Sequence, residues 1–243
     1  MNRRYMIIAG GGLAALLVLP SLGFAQSLGS AASFAVLAGS TVTNTGATTI
    51  LGSVGVSPGT GITGIPVGQP TGGELHDHDA VAAQAQSDLT VAYNALAGMA
   101  CGTDLTGQDL GGKTLAPGVY CFNTSAGLTG TLTLDGGGDP NAVFVFQIGS
   151  TLTAATSAAV DLIGGAQNTN VYWQVGSSAT LGTSSAFKGN IVALASITLT
   201  TGAALNGRAL ARTGQVTMDT NAVGDPTTPT LQSTWGMIKL HYR

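Results

Sequence analysis

Thr151-Leu152-Thr153-Ala154, Ser178-Ala179-Thr180-Leu181, Ser196-Ile197-Thr198-Leu199 and Gln215-Val216-Thr217-Met218 are four copies of one short pattern. A small polar residue, mostly Thr or Ser, alternates with an apolar one. On a β-strand, alternation with period two sends apolar residues to one side and hydroxyls to the other. The inward set is then Leu152, Leu181, Ile197, Leu199, Val216 and Met218. The outward set is Thr151, Thr153, Ser178, Thr180, Ser196, Thr198, Thr200 and Thr217. Thr153, Thr180, Thr198 and Thr217 are separated by 27, 18 and 19 residues. The first interval is lengthened by a loop over 164–170. A period near 18 residues is short for a helical repeat. It suits three strands of about four to five residues with tight corners, the coil of a three-sided β-helix.

Working outward, the strands before the threonine rungs are Val143-Phe144-Val145-Phe146, Val171-Tyr172-Trp173 and Ile191-Val192-Ala193-Leu194. They are apolar at both parities, the mark of a strand buried on both faces. One face belongs to the solenoid core and the other needs a cover. The sequence predicts one helix, over 80–97, with Val81, Ala85, Leu89, Ala92 and Leu96 at helical spacing. Asp77 or Asp79 would cap it and Gly98 would end it. This helix is the available cover, so the threonine strands are left facing solvent or a ligand. Earlier in the chain, Thr41-Val42-Thr43-Asn44-Thr45 repeats the pattern and adds Thr41 and Thr43 to the outward set. Residues 58–73 read as Gly/Pro-rich loop, too irregular for a ladder. The fold class expected is an all-β solenoid with one helix packed lengthwise alongside.

Only 8% of the 243 residues are charged, against about 25% in an average domain. Arg3 and Arg4, the apolar run 6–19 and Gly23-Phe24-Ala25 read as an export leader over 1–25. The remaining chain carries six Lys and Arg against eleven Asp and Glu, which argues against nucleic acid as a partner. Cys101 and Cys121 suit an exported protein. A disulfide between them would contribute roughly 3 kcal/mol on the chain-entropy model, and two buried thiols are the alternative. Residues 26–224 form the expected domain. Residues 225–243 open with Asp225-Pro226-Thr227-Thr228-Pro229 and read as a linker and tail. Its Pro229-Thr230-Leu231 and Trp235-Gly236-Met237-Ile238 resemble a bacterial sorting signal without a membrane span.

Catalytic chemistry finds little support. Asp135, Asp161, Lys188, Arg208, Arg212 and Asp219 are scattered without convergence, whereas glycoside-type chemistry needs paired carboxylates. His76-Asp77-His78-Asp79 has metal-ligand residue types, but its place at a helix entrance reads as capping, and no metal or cofactor is expected. The threonine face itself has a geometric meaning. Outward residues on one strand repeat at about 6.7 Å and neighbouring strands at about 4.8 Å. Threonine is stiff at χ1, so such ranks hold methyls and hydroxyls in a two-dimensional array able to order water. Threonine is also an ordinary residue for exposed strands. From the residues alone both readings stay open.

Several ordered segments then carry a resemblance. They are Gly55-Val56-Ser57-Pro58-Gly59, His76 with Asp79-Ala80-Val81-Ala82-Ala83-Gln84-Ala85, Leu115-Ala116-Pro117-Gly118-Val119-Tyr120 and Gly138-Asp139-Pro140-Asn141-Ala142-Val143-Phe144. Trp173-Gln174-Val175-Gly176, Phe187-Lys188-Gly189-Asn190 and Asn206-Gly207-Arg208-Ala209-Leu210 follow. Across 28–223 the chain resembles the DUF3494-type ice-binding proteins. The resemblance implies a discontinuous right-handed β-helix with a long helix alongside, and adsorption to ice through a flat face. Its Thr-Ala/Gly-x-Thr/Asn motif fits Thr45-Gly46-Ala47-Thr48 and Thr153-Ala154-Ala155-Thr156, and is departed from at Thr183-Ser184-Ser185-Ala186 and Thr201-Gly202-Ala203-Ala204. The expected ice-binding residues are therefore Thr41, Thr43, Thr151, Thr153, Ser178, Thr180, Ser196, Thr198, Thr200 and Thr217. Thr156, Thr183, Thr201 and Thr220 fall at corners, and Lys188 and Arg208 have structural roles. The expectation is a secreted, monomeric protein whose partner is the ice surface. The alternative is a surface adhesin or sugar-binding module, which the sorting-like tail motivates.

Overall fold

The structure, a computed structural model, describes residues 27–224. The expected leader 1–25 and tail 225–243 lie outside them. Among the described residues the strand pairings are parallel and form two sheets, of fourteen and seven strands, each with one main ladder, a β-helix-type fold with one α-helix, Ala80–Ala97. No helix among them is long and apolar enough to cross a membrane.

The first ladder runs Leu75–Asp77, Ser53–Val56, Phe34–Ala38, Ala204–Ala211, Ala186–Ala193, Val171–Val175, Phe144–Ile148, Gly118–Phe122, Thr103–Asp104. Spatial order therefore departs from chain order. The last full coil stacks on the first, with Val36 opposite Ala209 and Leu37 opposite Leu210. The helix carries the chain from the Leu75–Asp77 end to the Thr103–Asp104 end. Nine strands span about 38 Å, the helix supplies about 27 Å, and the segment 98–102 completes the crossing. A disulfide joins Cys101 to Cys121, fixing the returning chain to the strand Gly118–Phe122.

The doubly apolar strands are buried on both faces, as their composition requires. Toward the solenoid interior, Tyr120, Phe146, Trp173 and Phe187 form a continuous aromatic column, with centroid separations of 5.4, 4.0 and 4.8 Å. On the opposite face Phe34, Leu37, Val145, Tyr172, Val192 and Leu210 pack under the helix. The helix presents Ala82, Ala85, Gln86, Leu89, Ala92, Tyr93 and Leu96 to them. Val81, expected in this stripe, is instead 47% exposed. Both registers fit a 3.6-residue period, and the interface takes the smaller Ala82, which lets the first turn lie close to the sheet. Asp79 caps the helix, its Oδ1 accepting from the Ala82 N–H at 2.8 Å. Residues 58–73, expected to be loop, contain the strand Gly61–Thr63, which pairs with Thr41–Thr45. The cross-strand partner supplies the register that so short a segment lacks alone.

Two polar arrangements fasten the helix side. Arg208 is buried, donating through Nε to the Ala32 carbonyl and through a terminal nitrogen to Asn190 Oδ1, both at 2.8 Å. This matches its expected structural role. Lys188 makes a longer, part-exposed contact with Asp161 at 3.4 Å. Asp88 accepts from the Ser30 N–H at 2.8 Å, the Ser30 hydroxyl at 2.7 Å and Gln84 at 2.8 Å, tying the N-terminal turn Gly29–Ser33 to the helix. Those bonds, the Ser30 N–H foremost, hold the Asp88 carboxyl below its ordinary 3.8. A depressed folded pKa contributes stability above the unfolded value and loses it as pH falls through the folded one. Thermal melting should therefore weaken as pH drops from about 4, and Asp88→Asn should flatten part of that acid limb. Identical pH dependence in both proteins would rule this linkage out.

Candidate functional site

The second ladder holds the threonine rungs. Its order is Ala126–Leu128, Leu152–Ala154, Ala179–Leu181, Ile197–Leu199, Val216–Asp219, Thr41–Thr45, Gly61–Thr63. Alternation sends Val42, Leu152, Leu181, Ile197, Leu199, Val216 and Met218 inward, each at most 1% exposed. With the inward side fixed by burial, the register fixes the outward side.

Thr153 lies opposite Thr180, Thr180 opposite Thr198, Thr198 opposite Thr217, Thr217 opposite Thr43, and Thr43 opposite Thr63. Six threonines thus stand in one in-register rank, about 24 Å long at the usual strand spacing. Gly127 stands opposite Thr153 and ends the rank. Among the described residues, the hydroxyls of Thr63, Thr153, Thr180 and Thr198 have no protein hydrogen-bond partner. The Thr43 hydroxyl lies 3.4 Å from that of Thr217.

The second expected rank behaves differently. Ser196 N–H donates to Ser178 Oγ and Gln215 N–H donates to Ser196 Oγ, both at 3.3 Å. Thr151 and Ser125 share a hydroxyl–hydroxyl bond at 2.8 Å. These side chains satisfy amides of the neighbouring coil at the turn, so part of their hydrogen-bonding capacity is already used. Thr41 flanks them opposite Gly61. Thr200 sits just beyond Ile197–Leu199, and its hydroxyl donates to the Leu181 carbonyl at 2.8 Å. It belongs to the corner.

Thr63 was missed by the sequence reading. Its signal was the spacing: it follows Thr43 by 20 residues, close to one coil. Conversely, Thr48, which fits the Thr-Gly-x-Thr pattern, is 1% exposed and bonded to Asn44 and to the Asn221 N–H. It builds the corner and offers nothing to the surface. Thr156, Thr183, Thr201 and Thr220 all lie outside the strands. Of the metal-type residues, His76 Nδ1 meets Asp79 Oδ2 at 2.7 Å. No group of three or more His, Cys, Asp or Glu side chains gathers among the described residues.

Residues 36–224 match a family model described as ice-binding-like. The chain belongs to that family. It is 53% identical over 199 residues to an ice-binding protein of Nostoc sp. (strain HG1), covering 82% of this chain and 73% of that one. An ice-binding protein of Colwellia sp is 34% identical, covering 84% and 85% of the two chains. Among solved structures, an ice binding protein from an Antarctic biological consortium is 52% identical with a TM-score of 0.79, covering 82% of this chain and 90% of that one. That of the Antarctic ascomycete Antarctomyces psychrotrophicus is 43% identical with a TM-score of 0.77, covering 82% and 97%.

One corner of this ice-binding-like domain is held under strain. Thr220 has φ 54°, a left-handed conformation in which a β-branched residue is an outlier. It aligns with Gly46 and Gly202, which take the same region freely. Its hydroxyl donates to Asp219 Oδ1 at 3.0 Å, and the other carboxylate oxygen of Asp219 accepts from Thr201. Thr220→Gly should relieve the strain and raise stability by about 0.5–1 kcal/mol, a gain of roughly 1–4 °C in Tm. A lowered Tm would show that the Asp219 contact outweighs the backbone conformation.

Proposed function

We propose that this protein is exported and adsorbs to ice through the rank Thr153, Thr180, Thr198, Thr217, Thr43 and Thr63, slowing ice growth or recrystallisation. The single observation behind the reading is that rank itself. It is in register on a parallel ladder, left uncovered by the helix, and the hydroxyls of Thr63, Thr153, Thr180 and Thr198 are free of protein partners. Methyls and hydroxyls repeating at the strand spacing offer water a fixed template. The β-branched side chains have little χ1 freedom left to lose. The Ser-rich rank beside it, with Thr151, Ser178, Ser196 and Thr41, extends the array in the second dimension at about 6.7 Å.

In this reading the solenoid is a discontinuous, right-handed, three-sided β-helix. The helix covers one side and the threonine ladder forms another. The protein acts as a monomer and carries out no catalysis. Export is supported by the leader-like composition of 1–25 and by the Cys101–Cys121 disulfide, which oxidising compartments favour. The names of its relatives as ice-binding proteins support the ligand.

Ice-affinity partitioning is the direct test. Purified protein should concentrate in a slowly growing ice front and shape the crystals. Exclusion into the remaining liquid, at the level of a non-binding control protein, would overturn the proposal. Glycan capture without any effect on ice would favour the adhesin reading.

A further inference from the structure

A recess lies away from the threonine rank, where the first ladder turns toward the second. It is a groove of about 410 Å³ lined by Tyr93 of the helix and by Asn123, Gln147, Gly149, Gln174 and Gly176. Its volume falls within the usual range of small-molecule clefts, about 300–1,000 Å³. Glycine forms its floor for a steric reason. A Cβ on Gly149 would lie 2.7 Å from the Asn123 carbonyl oxygen, and one on Gly176 would lie 2.5 Å from that of Gly149. The close stacking of coils thus excludes side chains at the turn and leaves a channel beside the helix.

The polar groups facing this channel keep hydrogen-bonding capacity that the protein itself does not use. Gln174 is 6% exposed and Tyr93 is 9% exposed. Neither the Gln174 carboxamide nor the Tyr93 hydroxyl makes a hydrogen bond to another described residue. Gln147 is half satisfied: its Nε2 donates to the Leu96 and Met99 carbonyls at 2.7 and 2.8 Å. Its Oε1 lies 3.3 Å from Cys121 Sγ, but that sulfur is in a disulfide and has no proton to give. These atoms are not sealed in the interior but open onto the groove, where water or a ligand completes their hydrogen bonds. Here three neutral side chains with open hydrogen-bonding capacity meet in one recess.

We propose that this groove binds a neutral polyhydroxylated ligand, a sugar ring or a linear polyol. The chemistry follows from the donor and acceptor inventory. Gln147 Oε1 accepts only, Gln174 both donates and accepts, and the Tyr93 hydroxyl does either. A ligand must therefore donate and accept in turn, as vicinal hydroxyls do. An anion is disfavoured by the Gln147 oxygen, and a cation by the absence of any carboxylate among the lining residues. Arg212 lies against the Tyr93 ring, its Cζ 4.6 Å from the centroid, and steadies that wall.

Free sugar and the end of a glycan chain share this chemistry, so glucose and a linear glucan oligomer are titrated separately. The readout is the Gln147 side-chain amide resonance, which lies in the groove and is retained in every variant. Saturable shifts with either probe are expected, and a much tighter oligomer would identify a glycan as the source. Gln174→Leu should weaken binding at least tenfold while ice adsorption and melting stay unchanged. Tyr93→Phe keeps the ring and its Arg212 contact, loses one hydroxyl, and should weaken binding about threefold. That variant decides the matter if Gln174→Leu proves unstable. No saturable shift with either probe, undiminished binding by Tyr93→Phe, or a bound water at Gln174 that neither probe displaces would overturn the proposal. Ice adsorption is measured on the same samples, so failure here leaves the reading of the threonine rank untouched.

Discussion

Thr180→Tyr is expected to abolish adsorption to ice and leave the domain folded. Thr180 lies in the interior of the rank, with Thr153 and Thr198 directly opposite on its two neighbouring strands. A phenol ring there would stand several ångströms proud of methyls spaced about 4.8 Å apart. Neither partner can adjust, since ice is a lattice and the ladder beneath is pinned by Leu152, Ala179, Leu181 and Ile197, all buried to 1% or less. The surfaces would meet only at the ring, and adsorption should fall at least tenfold. Tyrosine suits an exposed strand position, so stability should move by no more than about 0.5 kcal/mol. Thr198→Tyr should act the same way, whereas Thr200→Tyr, at the corner, should act more weakly. Thermal hysteresis and circular dichroism melts on the three variants provide the check. Undiminished hysteresis in both Thr180→Tyr and Thr198→Tyr would remove the assignment of this face.

The second large effect lies in the interior. Trp173→Ala should destabilise the domain by about 4 kcal/mol, a sizeable part of the 5–15 kcal/mol typical of a domain. Trp173 is fully buried and stacks on Phe146 at 4.0 Å with 9° between the rings, while Phe187 packs on its other side. Its indole N–H also donates to the Lys188 carbonyl at 3.0 Å, which would be left without that donor. The neighbouring coil has already made room for the ring. Gly189 has φ 112°, and a Cβ there would lie 2.8 Å from the indole nitrogen. Gly189 has no side chain to fill the space, so much of the cavity should persist. The expected fall in Tm is roughly 8–16 °C. A change below about 1 kcal/mol would show that the aromatic column relaxes far more than close-packed interiors usually do.

Much of this was legible in the sequence because it depends on local alternation. Leu152, Leu181, Ile197 and Met218 face inward, as period two requires. The doubly apolar strands Phe144–Ile148 and Val171–Val175 sit between core and helix. What escaped depends on partners distant in the chain. Gly61–Thr63 is a strand because Thr41–Thr45 lies beside it, and its own Gly- and Pro-rich surroundings hide the alternation. The difference between the two outward ranks was also invisible. Ser178 and Ser196 look like Thr180 and Thr198 in a pattern of hydroxyls, yet their oxygens accept amides across the turn. Val81 and Ala82 compete for the same helical stripe, and only the closeness of the sheet decides between them.

The crossing of the helix from one end of the stack to the other sets a dimension. An open solenoid can lengthen by duplicating a repeat, because each coil touches only its neighbours. Here the coils after the helix must return to meet Phe34–Ala38, so an added coil would move one end of the stack away while the helix kept its length. The helix Ala80–Ala97 therefore acts as a ruler. Each further coil, about 4.8 Å thick, would need about three more helical residues at 1.5 Å each. The number of threonines in the exposed rank is thus fixed by a helix on a different face, which makes helix length the lever for engineering a longer or shorter surface.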